Sequence, residues 1–281
     1  MPSNWDIAFT IISIEGVFLV VTNLLAVTTI ATSKQLRLLF SNFMLALLFT
    51  THILSGCTNI FLSVVEINYR TNQKLVFFAH LVRDTIAGTE VIFTIFVPLE
   101  RFCAISKPFF YEKLTKRHAV LYITFIFLFP IVFAVWRVFS RGVFMAAFIV
   151  TFVGAFVITI TNTYLYRSVK KQCIHIASQI VGKSTEQQLE KRLSVQKRKL
   201  KALRMCIAFT LSYVLTWLPV GVKNMLNTSQ EPTHWNVLIG AIGFSNGLWD
   251  VLIFFYVSRT AREHIKRFLK KISLSKIGSQ D

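Results

Sequence analysis

The chain has 281 residues, of which 54% are apolar and 16% charged, with 27 phenylalanines and a formal net charge of +18. Soluble domains carry about a quarter charged residues, so the long windows here with almost no charge exclude an ordinary soluble fold. The basic excess is not a nucleic-acid footprint, because the Lys and Arg residues sit in clusters between the apolar runs.

Taken in chain order, the apolar runs predict seven membrane-spanning helices at 7–31, 41–65, 75–103, 119–139, 143–167, 203–227 and 235–257. Each meets the requirement of about 20 mostly apolar residues. The run at Ile7 has no basic stretch before it and no small-residue cleavage site, so it is expected to be the first span rather than a removable signal peptide. The stretch STEQQLEKRLSVQKRKLKALR is expected to prolong the sixth helix beyond its apolar part. After the last span, Arg259 to Ile272 forms an amphipathic segment with Ile265, Phe268, Leu269 and Ile272 on one side, suited to a leaflet of anionic lipid. The expected fold is therefore an all-α membrane protein, a seven-transmembrane helix bundle over 1–258 with a short amphipathic cytoplasmic eighth helix and basic tail over 259–281.

Basic residues orient it. Lys34 and Arg37, the group from Lys107 to Arg117, the long basic gap from Lys170 to Lys201 and the tail all fall on one side, which the positive-inside rule makes the cytoplasm. The N-terminus is then extracellular, the C-terminus cytoplasmic and the plasma membrane the expected location. Asn227-Thr228-Ser229 is a glycosylation sequon in an expected outer loop. Cys57, Cys103, Cys173 and Cys206 lie in the spans or at their cytoplasmic ends, so no structural disulfide is expected. There is no phosphate-binding loop, HExxH motif or soluble catalytic domain, so no enzymatic activity, cofactor or metal is expected.

The run LERFCAISKPFF at Leu99 to Phe110 places Glu100 and Arg101 at the end of a hydrophobic helix. Glu100-Arg101-Phe102, continued by Ala104-Ile105, Pro108, Tyr111 and Thr115, resembles the Asp/Glu-Arg-Tyr region of rhodopsin-like G protein-coupled receptors. Asn23 in TNLLAV resembles the family's Gly-Asn-x-x-Val, and SNFMLALL its Asn-containing start of helix 2. Thr216-Trp217-Leu218-Pro219 resembles Cys-Trp-x-Pro, and the run from Asn246 to Phe254 resembles Asn-Ser-x-x-Asn/Asp-Pro-x-x-Tyr. The resemblance spans nearly the whole chain and is weakest in helices 4 and 5. It implies a receptor that activates heterotrimeric G proteins, with Arg101 held by Glu100 at rest and a helix 6 hinge at Pro219 to which Trp217 reports ligand contact. Many family members add an acid at the foot of helix 6; here Lys199 stands at that position and repels Arg101.

Three departures matter. Ten residues after Asn42, where the family usually has aspartate, stands His52, while Glu90 stands where helix 3 usually has a small polar residue. With Asn23, Asn246 and Asp250 these positions form an expected intramembrane polar cluster in which His52, Glu90 and Asp250 exchange protons or act as a static link. Val251 and Phe254 replace the helix 7 proline and tyrosine, so the helix should be straighter, and Tyr164, Tyr166 or Tyr256 is left to supply a hydroxyl. Finally, Arg83 followed by Asp84 stands where the aminergic branch has its amine-binding aspartate. With His80, Lys223, Asn224 and Trp217, Arg83 suggests a pocket for an anionic or amphipathic small molecule or a lipid; the alternative is an Arg83 paired internally with Asp84 or Glu66. Phe244 in place of the retinal-binding lysine argues against an opsin. Two other functions fit the same spans: an ion- or proton-linked transporter or channel using His52, Glu90 and Asp250, and a seven-helix scaffold that does not couple.

Overall fold

The computed structural model describes residues 4–37, 40–106, 111, 124, 128, 131–132, 152–164, 166–167, 170–171, 186–226 and 234–277. Among these every regular element is an α-helix: α1 (Asn4–Thr32), α2 (Lys34–Arg37), α3 (Phe40–Asn68), α4 (Gln73–Ser106), α5 (Phe152–Tyr164), α6 (Glu186–Leu226), α7 (His234–Phe244), α8 (Asn246–Val257) and α9 (Arg259–Ile277). Four segments among the described residues are long and apolar enough to cross a membrane: Asn4–Thr32, Phe40–Asn68, Leu203–Lys223 and Leu238–Val257. They mark a membrane-associated protein. The helix α4 is longer, at 34 residues, but carries Arg83, Asp84 and Glu90 in its middle, so composition alone does not mark it. The expected span at 119–139 lies largely outside the described residues, as do the first part of that at 143–167, Cys173 and the Asn227 sequon.

The chain divides into two compact units, one of Met1–Glu90 with Ser229–Asp281 and one of Val91–Thr228. In the first, α1 packs against α3, α7 and α8. Its buried residues include Phe9, Ile12, Gly16, Leu19, Asn23, Ala26 and Ile30, which recur every three or four positions and form one stripe. The rest of α1 is apolar too: Ile7, Ile11, Ile14, Val17, Phe18 and Val21 are exposed. A helix apolar all round is at home in lipid rather than water. Its threonine hydroxyls donate back to their own helix, Thr10 to Asp6 O at 2.7 Å and Thr22 to Phe18 O at 2.7 Å. In a medium without water those donors need such partners.

Small residues set the α1–α3 spacing. A Cβ on Gly16 would lie 2.7 Å from the Gly56 carbonyl oxygen, and one on Gly56 would lie 2.6 Å from the Gly16 carbonyl oxygen. Both obstacles are backbone and cannot rotate away, so the helices touch here as small-residue motifs allow between membrane helices. Gly16→Val is expected to cost about 1–3 kcal/mol by overpacking, read as a lower melting temperature in detergent. Unchanged melting would show that the helices part freely.

The expected last span is interrupted by one residue. Ser245 sits between α7 and α8, with the Leu248 N–H donating to Ser245 O at 3.0 Å, a tightened turn of the i to i+3 kind. At Val251 α8 runs on without a break. Beyond Ser258, Arg262 donates to the Phe255 carbonyl at 2.8 Å and to that of Tyr256, capping the end of α8. His264 meets Thr32 at the end of α1 at 2.9 Å, which fixes the start of α9 to the unit. On the open face of α9, Arg259 Nε donates to Glu263 Oε1 at 2.6 Å and holds that carboxyl below its ordinary range.

In the second unit, α5 lies against both α4 and α6. Gly154 of α5 lies against Ile95, where a Cβ would overlap that side chain. Asn162 of α5 donates to Thr210 Oγ1 on α6, and Thr210 donates to the Cys206 carbonyl at 3.0 Å. The helix α6 begins at Glu186, so the polar stretch before Leu203 does prolong it.

Candidate functional site

His52, Glu90 and Asp250 meet in the first unit, each fully buried. His52 Nδ1 lies 3.2 Å from Glu90 Oε1, and His52 Nε2 lies 3.2 Å from Asp250 Oδ2. The imidazole of α3 thus bridges a carboxyl group of α4 to one of α8. Asn246, one turn before Asp250, donates from Nδ2 to Asp250 Oδ2 at 3.1 Å. Asn23 of α1 donates to its own helix at Leu19 O, 2.9 Å, and to the Gly247 carbonyl at 3.4 Å. Gly247 is what lets α8 come this close, since a Cβ there would lie 2.8 Å from both His52 Cγ and Leu19 Cδ2. All five residues of the expected polar cluster are therefore brought into one unit.

The Nε2···Oδ2 contact is a hydrogen bond and holds one proton, which a neutral imidazole supplies. A second proton on the ring makes the Nδ1 contact with Glu90 an ion pair, and with both carboxyl groups ionised the trio then carries a net charge of minus one. Buried ionisable groups without compensation cost several kcal/mol, so three on three helices at one depth form a unit that is maintained together or lost together.

The expected ligand residues divide between the units. In the first, the Arg83 guanidinium stacks 4.7 Å from the centre of the Phe244 ring. Glu66 is engaged by His80, at 2.9 Å, and by Arg70, at 3.7 Å, and Arg70 also reaches Asp6 at 3.9 Å. His80 therefore serves a charged network at the Asn68 end of α3. In the second unit, Trp217 is buried on α6, and Lys223 lies six residues beyond it. The side chains of Asn224 and Lys199 lie outside the described residues.

At the far end of α4, Arg101 Nε lies 3.5 Å from Glu100 Oε2, and both side chains are nearly buried. Tyr111 donates its hydroxyl to Glu100 Oε1. Glu100 thus serves Arg101 with one oxygen and Tyr111 with the other. Cys206 of α6 lies within electrostatic reach of both Glu100 and Arg101.

Some positions differ from their expected surroundings. Tyr164 is 61% exposed on α5, while Asn162, two residues earlier, is buried and links α5 to α6. Among the described residues the deeply buried tyrosine is Tyr213, on α6. Phe254 is buried edge-on against Phe49 at 5.4 Å, an aromatic contact rather than a hydroxyl. Sequence reasoning missed Glu15, an acid in the middle of the first apolar run whose presence at that depth was itself the signal. No protein-family model matches the chain, and no curated protein matches it.

Proposed function

We propose that the chain is a divergent, non-opsin receptor of the rhodopsin-like kind, a seven-helix bundle followed by an eighth amphipathic helix. It binds an extracellular or membrane-derived ligand at the plasma membrane and activates heterotrimeric G proteins, without enzymatic activity. One observation carries this reading: the Glu100–Arg101 pair at the end of a 34-residue helix, with Tyr111 eleven residues on donating to Glu100. A bare ion pair at a helix end in water needs no partner, whereas this pair is largely buried and its acid is shared. That is the arrangement of a latch, an arginine kept from a partner until its restraint is withdrawn. Pro219, which leaves a carbonyl without its helix bond, gives α6 a place to bend. Arg83 favours a ligand with a carboxylate or phosphate group.

The test is guanine-nucleotide exchange on a panel of G proteins by the chain in lipid nanodiscs, with Arg101→Ala beside it. Exchange above the empty-disc rate that vanishes in the variant supports the reading; no exchange on any G protein, with or without candidate ligands, removes it. The buried trio supports a second reading, an ion- or proton-linked transporter. Proton or sodium flux into liposomes holding the chain and no G protein would favour it.

A further inference from the structure

We propose that Glu15 and Asn59 form a second buried site in the first unit that takes a hard monovalent cation, either a proton carried on water or sodium. The inference stands apart from G protein coupling. Both carboxyl oxygens of Glu15 are buried and have no hydrogen-bond partner among the described residues. The same holds for both polar atoms of the Asn59 amide and for the Ser55 hydroxyl, and Ser55 and Asn59 are wholly buried. Each polar atom left so costs free energy that an apolar side chain would not, so their grouping points to something that binds them.

Their grouping follows from helical spacing. Ser55 and Asn59 lie three and seven residues beyond His52, on the face of α3 that His52 presents to Glu90. Glu15 lies eight residues before Asn23 on α1, beside the Gly16–Gly56 contact, and Arg83 lies seven before Glu90 on α4. Because Trp5 and Phe9 pack with Leu62, Val65 and Ala79, these two-turn steps all run toward the same end of the unit. A second polar layer of Glu15, Ser55, Asn59 and Arg83 thus lies above that of Asn23, His52, Glu90 and Asp250. Glu15 interacts electrostatically with Glu90 and Arg83.

Charge and donor type select the occupant. The titratable groups that act on Glu15 are Glu90 and Arg83 of α4; His52 on α3, Asp84 on α4 and Asp250 on α8 stand on other helices of the same unit or beside Arg83, and the described side chains of α7, Leu238 to Phe244, add none that titrates. The lower trio carries a net charge of minus one, and Arg83 offsets only one further acid, so one positive charge is lacking once Glu15 is ionised, and more if Asp84 is. Carboxylate, amide carbonyl and hydroxyl oxygens suit a hard cation or a hydronium and not a soft metal.

Infrared difference spectra of the full chain in nanodiscs test this, sodium minus N-methylglucamine and acid minus base. The expected result is a carboxyl band, in one of the two, that is absent in Glu15→Gln and displaced in Asn59→Leu. Its presence in the sodium difference identifies sodium; its presence only in the acid difference identifies the proton. Should Glu15→Gln fail to fold, Asn59→Leu alone decides, since it keeps every titratable group and must still displace a band. Spectra of the folded variants identical to those of the wild type overturn the proposal.

Discussion

His52→Ala is expected to lower the free energy of unfolding by about 3–5 kcal/mol, the usual cost of removing one partner from a buried ionic group. The alanine leaves Glu90 and Asp250 facing the space the ring filled, wholly buried and without the proton carrier between them. The same substitution should flatten the pH dependence of stability. A ring held between two carboxylates keeps a second proton at a pH where a free imidazole gives it up. The folded state then binds more protons, so wild-type stability falls as pH rises through that range. Combining His52→Ala with Glu90→Gln and Asp250→Asn should recover part of the loss, because amides tolerate burial where paired carboxylates do not. Thermal unfolding in detergent from pH 5 to 9 measures all of this, with basal nucleotide exchange over the same range as a second readout. Superimposable pH profiles for wild type and His52→Ala would reduce the trio to a static link between helices.

The parts of the fold legible in the sequence are those that lipid dictates. Runs at 7–31, 41–65 and 75–103 fall on the helices Asn4–Thr32, Phe40–Asn68 and Gln73–Ser106, the first two of them long and apolar enough to cross a membrane, properties written directly in the residues. The helices overrun the runs by a few residues, since backbone bonds continue past the last apolar side chain. The break at Ser245 was not legible: no proline marks it, Gly243 and Gly247 stand to either side rather than at it, and the turn is one residue long. In the site, His52, Glu90 and Asp250 were legible because charges at that depth must find one another. Glu15 was overlooked, for no acid or base near it in sequence suggested a partner; its companions lie on α3 and α4. Tyr164 was weighed for its hydroxyl, but helix periodicity turns it away from the face that buries Ile158 and Asn162, which are four residues apart. Chemistry named the side-chain types, and only packing chose among them.

Glu100→Gln is expected to raise ligand-independent nucleotide exchange about tenfold, and Arg101→Ala to abolish exchange. Glu100 holds Arg101 at 3.5 Å with one oxygen and accepts from Tyr111 with the other. Glutamine keeps the size and one acceptor but loses the charge, so Tyr111 is still served while Arg101 is released. A charge-assisted contact in a partly buried setting is worth about 1.5–3 kcal/mol, and about 1.4 kcal/mol moves a two-state equilibrium tenfold. On the proposed receptor reading the restraint is a single one, for the resemblance puts Lys199 where many rhodopsin-like receptors carry an acid that adds a second hold. Lys199→Glu should therefore lower basal exchange, and combined with Glu100→Gln it should return the rate toward that of the wild type. Tyr111→Phe separates the two jobs of Glu100: it removes the donor that steadies the carboxylate and leaves the ion pair charged, so its effect should have the sign of Glu100→Gln and a smaller size. Exchange assays on one G protein at matched protein amounts give the rates of the wild type and of all five variants. Basal exchange unchanged in Glu100→Gln, with Arg101→Ala still inactive, would mean that Arg101 acts without being held, and the latch would be discarded while the coupling residue stayed.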